Sequence, residues 1–387
     1  MGGLRWTTAG ESHGVCLIAT LEGMPAGMEL DLERVDRELA RRQGGYGRGG
    51  RMRIEQDRAE LLSGTRAGIT LGSPIALRIE NRDQSIEKLP VPTNPRPGHA
   101  DLVGSQKLGR RDPRAVLERA SARETAARVA LAAVARQLLE HFSIEVFGHV
   151  TELGAVAVDA EVVEAAFAGT REARQRVRAA SDFQSLDSQA EQAMRDRVDA
   201  ARAEGDSLGG VFEVRALGLP PGLGSYQSGP ERLTARLGAA LFSIPAIKGV
   251  EFGLGFESAR RPGSQVHDAI ILRDGGPGPF GRFDRAQHRS GGLEGGMTTG
   301  GPLCLRAAMK PIPTLKKGMP TIDFESGQAV SATYQRSDVT SVPACSVVGE
   351  AMAALELTCA LLEKLGGDSL TEVEDAWEAY RTRLARI

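Results

Sequence analysis

Residues 64–78, GTRAGITLGSPIALR, align without gaps on residues 292–306, GLEGGMTTGGPLCLR. Seven of the fifteen positions agree at one constant offset: Gly64/Gly292, Gly68/Gly296, Thr70/Thr298, Gly72/Gly300, Pro74/Pro302, Leu77/Leu305 and Arg78/Arg306. In both copies a strand follows, then a loop, an Arg-x-Asp (Arg110 to Asp112; Arg336 to Asp338) and a long helical pattern ending Leu-Leu-Glu. Further upstream, GMPAG at 23–27 and GLPPG at 218–222 each link a strand-like to a helix-like segment. Two occurrences cannot build a solenoid, which needs about three repeats. The expectation is therefore one domain over residues 1–387 made of two pseudo-related halves, and it requires that 64–78 and 292–306 superpose.

Strand-like runs recur at 15–21, 74–79, 144–150, 210–216, 268–272 and 303–309, and helical periodicity at 31–42, 121–141, 188–203, 230–242, 344–365 and 369–385. Ser121 with Glu124 and Ser369 with Glu372 have the spacing of capping boxes, and Gly205 and Gly366 stand where helices end. No Pro/Gly/Ser-rich linker divides the chain, so the alternation fits one mixed domain of helices and strands. With 41% hydrophobic residues in 387, a sizeable core can form. The 47 glycines follow no Gly-X-Y period, which excludes a collagen-like chain. No apolar run reaches the roughly 20 residues that span a bilayer. The N-terminal segment, with Arg5, Glu11 and His13, lacks the apolar stretch of a signal peptide. The expected location is cytoplasmic, with no membrane partner.

The net charge of −2 hides an uneven distribution. Residues 41–58 carry six Arg against Glu55 and Asp57, and residues 96–128 carry eight basic residues against four acids. A basic patch on a mildly acidic chain points to a small polyanion or nucleic acid held locally, although general Arg usage accounts for many of the other arginines. Cys16, Cys304, Cys345 and Cys359 match no zinc spacing and form no Cys-x-x-Cys pair. They read as buried reduced thiols, and no metal is expected.

Candidate chemistry lies in glycine-flanked loops. The Gly44–Arg51 cluster lacks the strand and helix that a dinucleotide-binding Gly-x-Gly-x-x-Gly requires. As an Arg-Gly RNA-binding segment it has only Tyr46 for base stacking. A cationic loop folding over an anion fits it better, with Arg supplying bidentate contacts. His13, in Gly10–Gly14, and His99, in Arg96–Asp101, are suited to acid/base work near neutral pH. Arg119 to Thr125 offers a helix N-terminus beside two arginines, a phosphate-binding arrangement. Lys310 to Thr314 is a stiff Pro-rich segment leaving a strand. Arg336 and Asp338 place opposite charges in a loop before a helix. Together these describe a site for a multiply anionic small molecule, with no nucleophile elbow.

GESHG at 10–14, RRQGGYGRGGRM at 41–52, RPGHAD at 96–101, SARET at 121–125, KGVEFG at 248–253, GGLEGGMTTG at 291–300, MKPIPT at 309–314 and QRSDV at 335–339 resemble the chorismate synthase family, in the family's order. The resemblance implies a carbon–oxygen lyase of the shikimate pathway, on the route to the aromatic amino acids. It implies that 5-enolpyruvylshikimate 3-phosphate becomes chorismate by anti-1,4-elimination of phosphate, with reduced FMN required and no net redox change. It also implies an α+β fold, a β-α-β sandwich, assembled as a homotetramer. By the same resemblance His13 protonates near the reduced flavin, His99 lies near the leaving phosphate, and Asp338 helps remove a proton near flavin N5. Arg42 and Arg48 match arginines assigned to NADPH or to the substrate loop. Flavin contacts fall on Arg119, Ala120, Ser121, Pro245, Ala246, Gly295, Lys310, Pro311, Ile312, Pro313, Thr314 and Arg336. The chain departs from the family at Ala120, where Ser is common, at Pro245, where Gln or Asn is frequent, and at Thr299, where Asn is common.

Two other readings stay open on sequence alone: an RNA-binding protein using the Arg-Gly loop, with steeply salt-dependent affinity, and an NADPH:flavin oxidoreductase. The source of reduced flavin is also open, between NADPH used by the chain itself and an external flavin reductase. The expectation for nucleic acid is no binding.

Overall fold

The computed structural model describes residues 3–49, 56–273, 278–332 and 338–387. In chain order the first half begins with strands β1 (Arg5–Ala9) and β2 (Cys16–Glu22), followed by helix α1 (Leu32–Gln43). Strand β3 (Glu60–Ser63), a hairpin of β4 (Thr65–Arg66) and β5 (Ile69–Thr70), and β6 (Ile75–Glu80) come next. Helices α2 (Asp101–Leu108) and α3 (Arg114–Leu117) lead through a 3-10 turn, Ala122–Glu124, into α4 (Thr125–His141). The four longer strands form one sheet in the order β1-β2-β6-β3. Leu17, Ala19 and Leu21 of β2 and Ile75, Leu77 and Ile79 of β6 are buried at alternate positions, so this sheet turns one apolar face inward.

The second half opens with β7 (Glu145–Leu153) and β8 (Val156–Ala157), then α5 (Ala160–Ala168), α6 (Arg171–Ala180) and α7 (Ala190–Glu204). Strand β9 (Gly210–Leu217), α8 (Leu233–Phe242), β10 (Ile247–Phe252) and a two-stranded excursion of β11 (Ile270–Leu272) and β12 (Phe283–Arg285) follow. A hairpin of β13 (Leu293–Glu294) and β14 (Met297–Thr298) leads to β15 (Leu303–Met309). A small ribbon of β16 (Pro320–Ile322) and β17 (Ala329–Ser331), α9 (Val342–Leu365) and α10 (Leu370–Leu384) complete the chain. The second sheet has the order β10-β15-β9-β7-β8.

Every ladder between these strands is antiparallel, which makes the fold α+β, as expected. Helix α4 packs on β2 and β6, α9 packs on β7 and β9, and α4 and α9 pack on each other. The order of layers is therefore sheet, helices, sheet. Both central helices are Ala-rich and apolar on nearly all sides, as a helix covered on every side must be. Helix α9 is long and apolar enough to cross a membrane, with a mean hydropathy of 1.6, yet 89% of that window is buried inside the fold. Glu350 and Glu356 interrupt its apolar stretch, and it serves as a core helix. Gly349 allows the close approach, since a Cβ there would lie 2.1 Å from the Phe212 ring of β9. On α9 the buried Glu350 gathers Arg41 of α1, Arg136 of α4 and Arg178 of α6. That charge cluster ties the first half's helices to the second half's.

The two hairpins carry the sequence echo in their backbones. Thr65 pairs with Thr70 and Arg66 with Ile69; Leu293 pairs with Thr298 and Glu294 with Met297. Gly64, Gly68 and Gly72 have positive φ, as do Gly292, Gly296 and Gly300. Ala67 at φ 51° stands where Gly295 has φ 59°, so the turn at this position is left-handed even where the glycine is absent.

Element boundaries fall within two or three residues of expectation for most of the long segments. The start of α4 differs. Ser121 accepts from the Arg123 N–H, and Glu124 is committed to Arg128 and Thr8, so no capping box forms and the regular helix begins at Thr125. Ser369 and Glu372 do form one. Among the cysteines only Cys345 is buried; Cys16, Cys304 and Cys359 are half-buried and all four are free.

Candidate active site

The GESHG turn between β1 and β2 exists because Gly10 takes φ 102°, where a Cβ would lie 2.2 Å from the Cys16 carbonyl. The buried Asn81, just past β6, donates from Nδ2 to the carbonyls of Glu11 and Gly14. His13 is held from a third direction. Its backbone N–H and its Nδ1 both reach Glu118 Oε2, at 3.2 and 2.7 Å.

His99 sits in the turn before α2. Its Nδ1 lies 2.5 Å from Asp101 Oδ1, while Arg96 donates to Asp101 through its backbone N–H, Nε and Nη2. Burial raises the Asp101 carboxyl, but the hydrogen bonds from His99 and Arg96 more than offset it, leaving it well below the usual carboxylate range.

Arg123, on the 3-10 turn, places Nη1 at 2.6 and 2.7 Å from the two oxygens of the buried Asp57. Arg42, at the end of α1, donates through Nε to Thr125 Oγ1 and through Nη2 to the Ala122 carbonyl. Burial and the neighbouring Arg48 and Arg123 outweigh the attraction of Asp57 and lower Arg42 to about 10. Asp338 accepts from Gly49 N–H at 2.6 Å, Arg48 Nη1 at 2.7 Å and Ser341 Oγ at 2.7 Å. Lys310 Nζ donates to the Gly98 carbonyl, which ties the end of β15 to the His99 loop. Burial, helped by Lys248, lowers its pKa from the ordinary lysine value.

These groups border one cavity of about 420 Å³, within the range of small-molecule sites. The polar rim comes from the two histidines, Arg42, Arg48, Arg96, Arg123, Lys310, Glu118 and Asp338. Leu117, Ile244, Met309, Ile312 and Val348 provide an apolar wall, with Cys345 of α9 among the lining residues. Burial pushes that thiol up to about 12, so it is an inert wall group. Such a cavity can hold a flat ring against its wall and anionic groups at its rim, and its imidazoles can move protons.

Of the residues singled out by sequence, His13, His99, Asp338, Arg42, Arg48, Ala120, Ser121, Pro245, Ala246, Lys310, Ile312, Pro313 and Thr314 line this cavity. Three others do not. Arg119 turns back to β1, donating to the carbonyls of Gly10 and Thr8, and so braces the His13 loop. Pro311 packs beside Gly209. Gly295 is in the turn of the β13–β14 hairpin, before the start of β15, whereas the cavity is at the end of β15. Arg336 lies outside the described residues. Sequence reasoning missed Glu118, Asp57 and Asn81, and it quoted Asp101 and Arg96 without giving them a role. A signal existed: three of the four acids in the basic stretch 96–128, Asp101, Glu118 and Glu124, form an ion pair with an arginine of that stretch. Among the described residues no group of three or more His, Cys, Asp or Glu could hold a metal ion.

Residues 4–362 match the model of the family described as chorismate synthase. The chain is 50% identical over 393 residues to chorismate synthase of Desulforudis audaxviator, covering 98% of each chain. It is 51% identical over 396 residues to that of Trichlorobacter lovleyi, covering 97% of this chain and 98% of the other. A crystal structure of chorismate synthase superposes with a TM-score of 0.81 at 42% identity, covering 100% of this chain and 99% of that one. The chain therefore belongs to the chorismate synthase family, carbon–oxygen lyases of the shikimate pathway.

Proposed function

We propose that the chain takes 5-enolpyruvylshikimate 3-phosphate in this cavity and eliminates phosphate across the ring to give chorismate, with reduced FMN as cofactor. The observation that carries the reading is the convergence of His13, His99 and Asp338 on one cavity with a cationic rim. The residues fit the flavin: the wall of Leu117, Ile244, Met309 and Ile312 suits a flat ring, while Lys310 offers a cationic group to a phosphate. Contacts to it would come from Ala120, Ser121, Pro245, Ala246, Lys310, Ile312, Pro313 and Thr314. Ala120 and Pro245, which replace common polar residues, leave those contacts to backbone and apolar surface. Thr299 has no bearing on the cavity, since its Oγ1 accepts from Gly301 within its own turn.

When bound, reduced FMN supplies transient electron density to the reacting ring, so that no net oxidation occurs. The protein's share is proton handling and charge. The elimination breaks a C–H and a C–O bond, leaves a new double bond in the ring, and sends the C–O electron pair out with phosphate. His99 faces the departing phosphate, where an imidazolium stabilises the growing negative charge. The proton of the broken C–H bond would pass to Asp338, on the flavin side, once Arg48 turns to an anionic ligand, and His13 would protonate near the cofactor. Arg48 holds substrate or NADPH, while Arg42 keeps the 122–125 turn in place behind the site.

The assay is anaerobic: protein, chemically reduced FMN and 5-enolpyruvylshikimate 3-phosphate, with chorismate and free phosphate followed together. Both should appear in equal amounts, and folded protein that releases no phosphate sinks the reading. An aerobic assay with NADPH and oxidised FMN, without added reductase, separates self-reduction from dependence on an external flavin reductase. The enzyme is proposed to act in the cytoplasm as a homotetramer that binds neither nucleic acid nor membrane. The exposed Ile270, Ile271, Leu272 and Phe283 of the β11–β12 ribbon support assembly. We further propose that residues 1–387 form one domain of two related halves, supported by the matching hairpins.

A further inference from the structure

We infer that Glu118 is the positioning residue for His13: it fixes the proton on Nδ1 and leaves Nε2 as the atom that exchanges protons with the cavity. The inference rests on the reading of His13 as a proton carrier. Glu118 closes the short helix α3, and its carboxylate is nearly inaccessible, with 2% side-chain exposure. One oxygen, Oε2, accepts from the His13 backbone N–H and meets Nδ1 at 2.7 Å. The other, Oε1, accepts from Arg114 Nη1 at 2.8 Å, one helical turn earlier. The Glu118 carbonyl adds a bond from the Ser12 N–H at 3.1 Å. Backbone and ring are thus clamped by the same side chain.

Burial alone would raise the Glu118 carboxyl. The hydrogen bonds and charges of His13 and Arg114 more than offset this and keep it below the usual carboxylate range. An ionised carboxylate can only accept. A neutral His13 beside it must therefore place its proton on Nδ1, and Nε2 presents its lone pair. The only other acid within ion-pair range of the ring among the described residues is Asp83, whose Oδ2 is 3.9 Å from Nε2. His99 has a comparable partner in Asp101. There, however, Arg96 Nη2 also approaches Nδ1, at 3.1 Å, so the ring's proton is not fixed by one neighbour alone.

The test compares Glu118→Gln, which keeps the shape, with Glu118→Asp and His13→Ala. Anaerobic turnover with reduced FMN is measured beside the imidazole 15N shifts of His13. In the parent protein neutral His13 should show a protonated Nδ1 and an unprotonated Nε2; the opposite tautomer overturns the inference without any variant. Glu118→Gln should lose about 10- to 100-fold in kcat, by analogy with the outer partners of metal-bound histidines. Its KM and flavin affinity should stay within about threefold, and the 15N pattern should become mixed. Glu118→Asp should recover the parent tautomer and part of the turnover. Unchanged His13 signals in Glu118→Gln, with or without loss of turnover, overturn the inference. If His13→Ala retains turnover, the proton-carrier reading falls, and the 15N result still decides whether Glu118 sets the tautomer.

Discussion

Arg48 and Asp338 meet at 2.7 Å, Nη1 to Oδ2, and Ser341 Oγ bonds to both partners. They come from loops 290 residues apart in sequence, one after α1 and one before α9. Both are mostly buried, with side-chain exposures of 10% and 17%. Arg48, Ser341 and the Gly49 N–H occupy the carboxylate's oxygens in this arrangement. An anionic ligand that draws Arg48 away would free Oδ2 from the guanidinium, linking substrate arrival to proton uptake. Arg48→Ala should therefore lower kcat/KM by about 10- to 100-fold, with most of the change in KM. Arg48→Lys should recover only part, because an ammonium cannot hold Asp338 and Ser341 with a planar fork. Steady-state kinetics on the three proteins check this, and equal KM values would remove the ligand-drawn step.

Lys310 differs from the cavity's arginines. Among the described residues it has no carboxylate partner and donates to the Gly98 carbonyl. With its pKa lowered by burial and by Lys248, its charge is lost on raising the pH earlier than that of an ordinary lysine. FMN affinity should weaken as pH rises through that lowered value and be full below it. Lys310→Ala should raise the FMN dissociation constant about tenfold near neutral pH, as loss of one charge-assisted contact does. Lys310→Arg should flatten the pH dependence, since a guanidinium keeps its charge throughout. Flavin fluorescence titrations between pH 7 and 10 measure both effects.

The residues that announced themselves in the sequence are those whose signal is local. Helices α4 and α9 and strands β6 and β15 are legible because their apolar patterns are unbroken. Helix α6 was missed for a physical reason: its inward face is arginine. Arg174 and Arg178 are buried against Glu145 and Glu350, and a reading based on apolar spacing sees a solvated segment there. The partner of Glu118 has no local sign in the sequence, because His13 lies 105 positions upstream. Ser121 and Glu124 have the right spacing for a capping box, yet tertiary partners, Arg128 and Thr8, take the glutamate. The candidate site's histidines and Asp338 stand in family motifs, and Asp101 lies in the same motif as His99, whereas the pairing of Glu118 with His13 follows only from the packing.

Glu213 on β9 should govern part of the acid stability. Burial raises its carboxyl, but His149, at 3.2 Å, and Arg215, at 2.6 Å, outweigh it and bring the value to about 2, from 4.5. The unfolded chain takes up the proton first, so this stabilisation is complete above about pH 4.5 and disappears as pH falls toward 2. The difference corresponds to about 3 kcal/mol. Denaturant unfolding of Glu213→Gln should show a deficit at pH 6 that shrinks by pH 3. A deficit of equal size at both would refute the linkage.

Thr70 and Thr298 offer the sharpest test of the two-halves proposal. Thr70 donates to the Pro25 carbonyl at 2.7 Å and accepts from the Met28 N–H at 2.9 Å. Thr298 donates to the Pro220 carbonyl at 2.6 Å and accepts from the Leu223 N–H at 2.9 Å. Both hydroxyls are buried, and each locks its hairpin to a proline turn, GMPAG or GLPPG. Valine keeps the volume but strands one carbonyl and one N–H away from water, which costs about 1–3 kcal/mol. If the halves are built alike, Thr70→Val and Thr298→Val should cost similar amounts. Because the two sites share no partner, their costs should add to within about 0.5 kcal/mol in the double variant. Serine, which keeps the hydroxyl, should recover most of the loss at either position. Equilibrium unfolding of the set decides the matter: a silent change at one position and a costly one at the other would mean that the two hairpins are alike in shape without sharing a structural role.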